Sequence, residues 1–257
     1  KQWLSHVPEG VYLDYHKDSA VKYTDFFNRE YILFSVYDIH RSIPHFVDGL
    51  KPSQRKVLYG CFKRKLTKNE IKVAQLTGYI AEHSAYHHGE VSLQGTIVNM
   101  AQNFVVRARR FQSNSLAHIQ QGSNNINLLT PSGQFGTRRM GGKDAASARY
   151  IFTKLEPIAR AIFHPDDDEL LEYLNDDGVS IEPRFYVPVI PMVLVNGAEG
   201  IGTGWSSHVC NYDPRAIVAN IRRKIAGEEM LPMAPHYSGY VGDVRRRLHR
   251  LLTLDSH

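Results

Sequence analysis

The sequence predicts an α+β chain in which a helix-turn-helix is followed by a β wing. Three observations carry this. Residues 72–83 and 89–104 are two short helical segments, joined by Ser84-Ala85-Tyr86-His87-His88-Gly89, a tight link of the helix-turn-helix kind. From residue 124 to 152 the texture changes to short β-type runs separated by glycine turns. The charge is also segregated. Residues 51–72 are basic against the single acid Glu70, residues 103–150 are basic against the single acid Asp144, and residues 164–182 are acidic. Such asymmetry points to one face for a polyanion and another that is solvated.

With 257 residues and 42% hydrophobic content, the chain can bury the core of one large or two ordinary domains. Its net charge of +5 is modest and matters because it is clustered. Cys61 and Cys210 are the two cysteines, which excludes a disulfide framework and a thiolate zinc site and fits a reducing compartment. No apolar run reaches the length of a membrane span. There is no signal peptide, no internal repeat and no initiator Met, so the chain reads as the interior of something longer.

Taken in order, residues 23–34 predict a helix with Thr24 or Asp25 as N-cap, broken at Ser42-Ile43-Pro44. Gly49-Leu50-Lys51-Pro52 starts a second helix, with Pro52 in its first turn. Val57, Leu58, Cys61, Phe62 and Leu66 form its apolar stripe, while Arg55, Tyr59 and Lys63 share another face. That face is either a solvated basic surface or a phosphate contact, and the one-sided charge favours the second. Leu93, Ile97, Ala101 and Phe104 give the fourth helix its inner face. His87 and His88 sit just before it, where free backbone N–H groups favour an anion. Metal ligation would need a third ligand, and none lies at a recognisable spacing; a structural hydrogen-bonding role stays open.

The β region runs through Ile126-Asn127-Leu128-Leu129, a Pro131-Ser132-Gly133 turn, Gln134-Phe135-Gly136 and Gly141-Gly142. It ends in Lys143-Asp144-Ala145-Ala146-Ser147-Ala148-Arg149-Tyr150-Ile151-Phe152-Thr153. A phenol, with a pKa of about 10, is a poor nucleophile at neutral pH. An adjacent guanidinium favours the phenolate and can also neutralise a phosphate. Arg149-Tyr150 on an exposed segment therefore suits attack on a phosphodiester, although most tyrosines simply pack.

Residues 155–163 predict a short helix ended by His164-Pro165, and Asp166-Asp167-Asp168 a cap plus solvated charge. Residues 186–196 read as an apolar strand, irregular because of Pro188 and Pro191. The glycine-rich loop after it has Gly-x-Gly-x-Gly spacing with no helix at its last glycine, which does not match a dinucleotide fingerprint. Asp213 caps a helix with Pro214 at its start, Ile217, Val218, Ile221 and Ile225 on one face, and Gly227 as stop. Residues 245–252 are basic and amphipathic and predict a helix.

At this point the chain resembles the DNA breakage-reunion region of eukaryotic-type DNA topoisomerase II over most of residues 1–240. The motifs are Arg41-Ser42-Ile43-Pro44, Asp48-Gly49-Leu50-Lys51-Pro52-Ser53-Gln54-Arg55-Lys56-Val57, the Ser84 to Glu90 link, the tyrosine stretch, and Asn196 to Trp205. The resemblance implies a connecting segment (1–39), a winged-helix DNA-cleavage domain (40–188) and the start of a mixed α/β tower domain (189–257), which is truncated. It implies that Tyr150 attacks the DNA backbone and forms a 5′-phosphotyrosyl ester, with Arg149 beside it. Arg55 and His88, with His87 and Lys56, match basic groups around the scissile phosphate. Lys63 and Lys143 are further DNA-contact candidates, and Ile201 matches an isoleucine that wedges between base pairs.

The resemblance further implies double-stranded DNA as substrate, a homodimer, a nuclear location and no membrane. It implies Mg²⁺ held on an upstream Toprim domain and ATP on an ATPase domain; neither site has a matching segment in this chain. The fragment is therefore expected to bind DNA and not to cleave it alone. Its rival is a non-enzymatic winged-helix DNA-binding module, against which the intact Arg149-Tyr150 and His87-His88 pairs argue. Two departures stand out. Residues 106–121 intervene where the family runs from Asn103-Phe104-Val105 straight into Gly122-Ser123-Asn124-Asn125-Ile126; they are a lineage-specific basic loop or a translated short intron. The resemblance also fades after about Asp243.

Overall fold

The structure, a computed structural model, describes residues 3–5, 12–13, 20–104, 125–240, 243–246 and 252–255. The departure at 106–121 thus lies outside the described residues. A short 3-10 turn, Trp3–Ser5, precedes a continuous helical rod made of α1 (Tyr23–Phe26), a π turn (Phe27–Tyr31) and α2 (Ile32–Ser42). The rod starts at Tyr23, as the expected span did, but without the expected cap. Extended Lys22 occupies the N-cap position without a side-chain cap bond, so Thr24 and Asp25 lie inside the first turn. Its end is as expected, with Ile43 extended ahead of Pro44.

Helix α3 (Pro52–Lys63) has Pro52 at its first position, where a missing N–H costs no hydrogen bond. The predicted stripe Val57, Leu58, Cys61, Phe62 and Leu66 is buried. Strand β1 (Ile71–Lys72) leads into α4 (Val73–His83), and α5 (Glu90–Ala101) follows the His-His link. Helices α3 and α4 approach closely at Gly60, where a Cβ would lie 2.6 Å from Ile80 Cγ1. Helix α5 stops before Phe104 because Gln102 turns extended and uses its buried amide to donate to Phe135 O at 2.8 Å.

The expected wing is thin. Strand β2 (Phe152–Thr153) pairs antiparallel with β1, and residues 129–132 pair with it from the other edge through the Leu129↔Leu155 and Ser132↔Phe152 bridges. Helix α6 (Pro157–Ile162) comes next, then a 3-10 turn (Pro165–Leu170) whose Asp166 N–H donates to His164 Nδ1. Asp168 is more than solvated charge: it takes a bidentate contact from Arg160 at 2.6 and 3.1 Å. Strands β3 (Tyr173–Asp176) and β4 (Val179–Pro183) form an antiparallel hairpin.

Residues 186–196 do not form the predicted strand. Two prolines remove ladder donors, and after Pro191 the chain coils into α7 (Met192–Val195). The glycine-rich stretch is itself a strand, β5 (Ala198–Gly202), hairpinned with β6 (Trp205–Val209). Helix α8 (Pro214–Ile225) has the predicted cap, Asp213 Oδ1 accepting from Arg215 N at 2.9 Å, and Gly227 lies beyond its end at φ +77°. Only the start of its stripe is deeply buried, and Ile225 is 82% exposed. Where a helix was expected over 245–252, the described ends of that stretch are strands: β7 (Asp243–Arg246) pairs antiparallel with β8 (Leu252–Asp255), and residues 247–251 lie outside the described residues.

One buried cluster joins α3, α4 and α5 to Leu129, Ile151, Leu155, Phe163, Tyr186, Val195 and Ile217. Asn125 ties the wing to the α7–α8 region. Its Nδ2 lies within 3.0 Å of the Val195, Tyr212 and His236 carbonyl oxygens, and Asn196 Oδ1 accepts from the backbone N–H of Asn125 and Ile126. Among the described residues no helix is long and apolar enough to cross a membrane.

Candidate active site

The segment holding Arg149 and Tyr150 is a turn clamped from beneath. Ala148 and Ile151 are buried. Their carbonyls accept from Ala74 N and Val73 N, both at 3.0 Å. These are the first two N–H groups of α4, which lack partners inside the helix, so the turn also caps α4. Tyr150 N–H closes the turn onto Ser147 O at 2.9 Å. With the residues on either side held inward, Arg149 and Tyr150 project outward. Tyr150 is 68% exposed, and the Arg149 guanidinium carbon sits 5.3 Å from its ring centroid. The preceding loop is built around Asp144, which accepts from Thr137 N and Oγ1 at 2.8 and 2.9 Å. The Thr137 backbone N–H is the chief reason its carboxyl lies below the usual range. Lys143 is exposed on this loop.

His87 and His88 face different elements. His88 Nε2 lies 2.8 Å from Tyr37 Oη of α2, and its ring sits edge-on to Tyr86 at 5.5 Å. His87 Nε2 lies 3.1 Å from Asp176 Oδ2 of β3. The structural hydrogen-bonding reading left open above is thus realised for both rings, while both residues stay exposed.

Arg55 departs from expectation. It is 5% exposed; its Nε donates to Asp48 Oδ2 at 2.8 Å, and its Nη2 to Asp48 Oδ1 at 3.1 Å and Leu50 O at 3.0 Å. Asp48, fully buried, also accepts from Leu50 N and Tyr186 N. The reading that Arg55 shares an outward basic face with Tyr59 and Lys63 is therefore corrected: its donors serve interior acceptors. Lys56 is drawn to Glu182 at 2.8 Å and to Ser84 O, and Tyr59 Oη donates to Ser180 O. The acidic hairpin β3–β4 lies along this side of α3. Lys63 remains exposed, 5.4 Å over the Tyr59 ring.

Ile201 owes its exposure to the glycines around it. A Cβ on Gly200 would lie 2.2 Å from Ser42 O, and one on Gly202 would lie 3.0 Å from Ile39 Cα. Alternate residues of β5 thus dock on α2, and Ile201 faces the other way, 56% exposed. The turn beyond is fastened by Asp38 Oδ2, which accepts from Thr203 N and Oγ1 at 3.0 Å each. Burial alone would raise the Asp38 carboxyl; hydrogen bonds from Thr203, Arg41 and Ser42, with the Arg41 charge, outweigh it and hold it low.

The site therefore has two supports: α4 carries the Arg149-Tyr150 turn, while α2 carries both the His88 contact and the Ile201 hairpin. Among the described residues no hydrogen bond, ion pair or ring contact joins Tyr150 to His88, Arg55 or Lys56. Sequence reasoning missed Tyr37, Asp38 and the setting of Lys51, a half-buried lysine whose pKa desolvation lowers against the opposing charge of Glu199. The Asp38–Arg41 pair at helical i,i+3 spacing was a usable signal; Tyr37, which meets a residue 51 positions away, had none.

Comparison with known proteins adds three findings. The family model for the A-type subunits of DNA gyrase/topoisomerase IV matches residues 41–251. DNA topoisomerase 2 of Arabidopsis thaliana is 56% identical over 246 residues, 96% of this chain and 16% of that protein; the Drosophila melanogaster protein of the same name is 59% identical over 223 residues, 87% and 14% of the two chains. The crystal structure of the Plasmodium falciparum topoisomerase II DNA-binding, cleavage and re-ligation domain matches with a TM-score of 0.83 at 54% identity, over 98% of this chain and 32% of that one. The chain spans about 16% of the length of the curated relatives it matches.

Proposed function

The chain belongs to the family of DNA gyrase/topoisomerase IV A-type subunits, and on that premise we propose that it is the tyrosine-bearing, DNA-cleaving part of an ATP-dependent type II DNA topoisomerase. The observation that carries this reading is the outward projection of Tyr150 on a turn clamped to α4, with Arg149 over its ring. In the proposed reaction Tyr150 Oη attacks a backbone phosphorus in line. The bond from phosphorus to the 3′-oxygen breaks as the 5′-phosphotyrosyl ester forms. The ester conserves the phosphodiester bond energy, so the 3′-hydroxyl reverses the step without ATP. Arg149 and His88 meet the charge that develops on the phosphoryl oxygens. Arg55 and Lys56 act from inside, by fixing the 48–50 loop and the Ser84 end of α4 against α3. Lys63, His87 and Lys143 are proposed backbone contacts, and Ile201 the apolar wedge.

Duplex DNA is the proposed substrate, in a nuclear homodimer with Toprim and ATPase domains in the longer protein; residues 1–39, 40–188 and 189–257 are the proposed connecting, winged-helix and tower parts. Mg²⁺ and ATP belong to that longer assembly. Among the described residues no three His, Cys, Asp or Glu side chains are grouped so that they could hold a metal. The test is Tyr150→Phe in the full-length protein with supercoiled plasmid. Covalent protein–DNA adducts are expected to vanish while DNA affinity stays within about twofold, since only a hydroxyl is removed. Persisting adducts, or a large loss of affinity, would refute the nucleophile role.

A further inference from the structure

We propose that Tyr37 is a positioning residue for His88, selecting which imidazole nitrogen meets the DNA phosphate. This deepens the reading above and rests on His88 as a phosphate contact. Tyr37 Oη and His88 Nε2 are 2.8 Å apart. Tyr86 braces the same ring edge-on at 5.5 Å and 74°. A ring held at one nitrogen and along one edge has little rotational freedom left.

The hydrogen bond also assigns chemistry. A phosphate only accepts, so a neutral His88 that meets one through Nδ1 must carry its proton there, and the Tyr37 hydroxyl, which can donate as well as accept, is then the donor to Nε2. When His88 is charged, Nε2–H donates to the Tyr37 oxygen and Nδ1 still carries its own proton. In both of these phosphate-competent states Nδ1–H is the donor that meets the anion, and among the described residues Nδ1 has no hydrogen-bond partner. Without the Tyr37 hydroxyl, Nε2 loses the donor that supports the Nδ1–H tautomer, and a larger share of the neutral rings would present an acceptor to the phosphate.

Tyr37 is itself held. The Arg41 guanidinium lies 5.9 Å from its ring centroid, and Arg41 is anchored by Asp38 at 3.0 and 3.2 Å. The same Asp38 fastens Thr203 at the turn of the Ile201 hairpin. A continuous set of contacts therefore runs from the proposed wedge to the proposed phosphate contact through one turn of α2.

The test is a double-mutant cycle in the full-length protein, reading DNA affinity, melting temperature and the rate of covalent adduct formation. Tyr37→Phe keeps the ring and removes only the hydroxyl. It is expected to slow adduct formation about five- to tenfold, the scale of one lost orienting hydrogen bond, with affinity and melting temperature unchanged. In a His88→Ala background the same substitution is expected to change nothing, because its effect runs through the imidazole. An unchanged rate in Tyr37→Phe, or an equal slowing in both backgrounds, overturns the positioning role while leaving His88 in place. An unaffected rate in His88→Ala alone removes His88 from the site, and this inference with it.

Discussion

Asp48→Ala is expected to be among the most damaging single substitutions in the chain. The carboxylate is fully buried and accepts from Arg55 Nε, Arg55 Nη2, Leu50 N and Tyr186 N within 3.1 Å. Its removal leaves a guanidinium at 5% exposure with Leu50 O as its remaining acceptor among those described. Breaking a buried pair by deleting one partner costs about 3–5 kcal/mol, because the other charge stays desolvated. At about 2–4 °C per kcal/mol for a chain of this size, the melting temperature should fall by roughly 6–20 °C. Thermal and urea denaturation of the 257-residue chain measure this directly. The same geometry separates two roles for Arg55. An interior role predicts that Arg55→Met lowers stability, and that adding it to Asp48→Ala recovers part of the loss. A loss below about 1 kcal/mol for Asp48→Ala would refute the reasoning. So would an Arg55→Met variant that melts normally yet no longer cleaves in the full-length protein; it would return Arg55 to the phosphate.

Close packing and charge give two further expected outcomes. Gly200→Ala should destabilise by about 1–3 kcal/mol by overpacking, since its Cβ would meet Ser42 O at 2.2 Å, whereas Gly78→Ala, mid-helix in α4 with open space around it, should stabilise by about 0.5–1 kcal/mol; paired melting curves decide, and equal shifts would sink the docking account of β5. Asp38 is held below its ordinary pKa by Thr203, Arg41 and Ser42 against the opposing effect of burial, so the stability it contributes is present above the unfolded value of about 3.9 and is lost as pH falls through the lower folded one. The melting temperature should drop more steeply below about pH 4 in the parent than in Asp38→Asn, and identical slopes would show that Asp38 carries no such linkage.

What was legible in the sequence was local. The apolar stripe of α3, the proline at its start, the Asp213 cap and the Gly227 stop each depend on residues a few positions apart, and each was found where expected. What was not legible depends on partners far along the chain. Arg55 looked like part of a basic face because its own helix gives no hint that Asp48 lies folded beneath it and that Tyr186 N shares the same carboxylate. The spacing of the glycine-rich stretch 197–204 argued against a dinucleotide loop but did not say what its glycines are for: β5 lies backbone-to-backbone on α2, a contact that needs glycine at 200 and 202 and leaves residue 201 on the free side of the pleat. That arrangement has a consequence for the site. Helix α2 at once seats the hairpin that bears Ile201, through Asp38 and Thr203, and holds His88, through Tyr37. A strain on the hairpin that shifted α2 by a fraction of an ångström would therefore reach the His88 ring, whereas the Tyr150 turn, fixed to α4 by the Val73 and Ala74 N–H groups, stands on a different support.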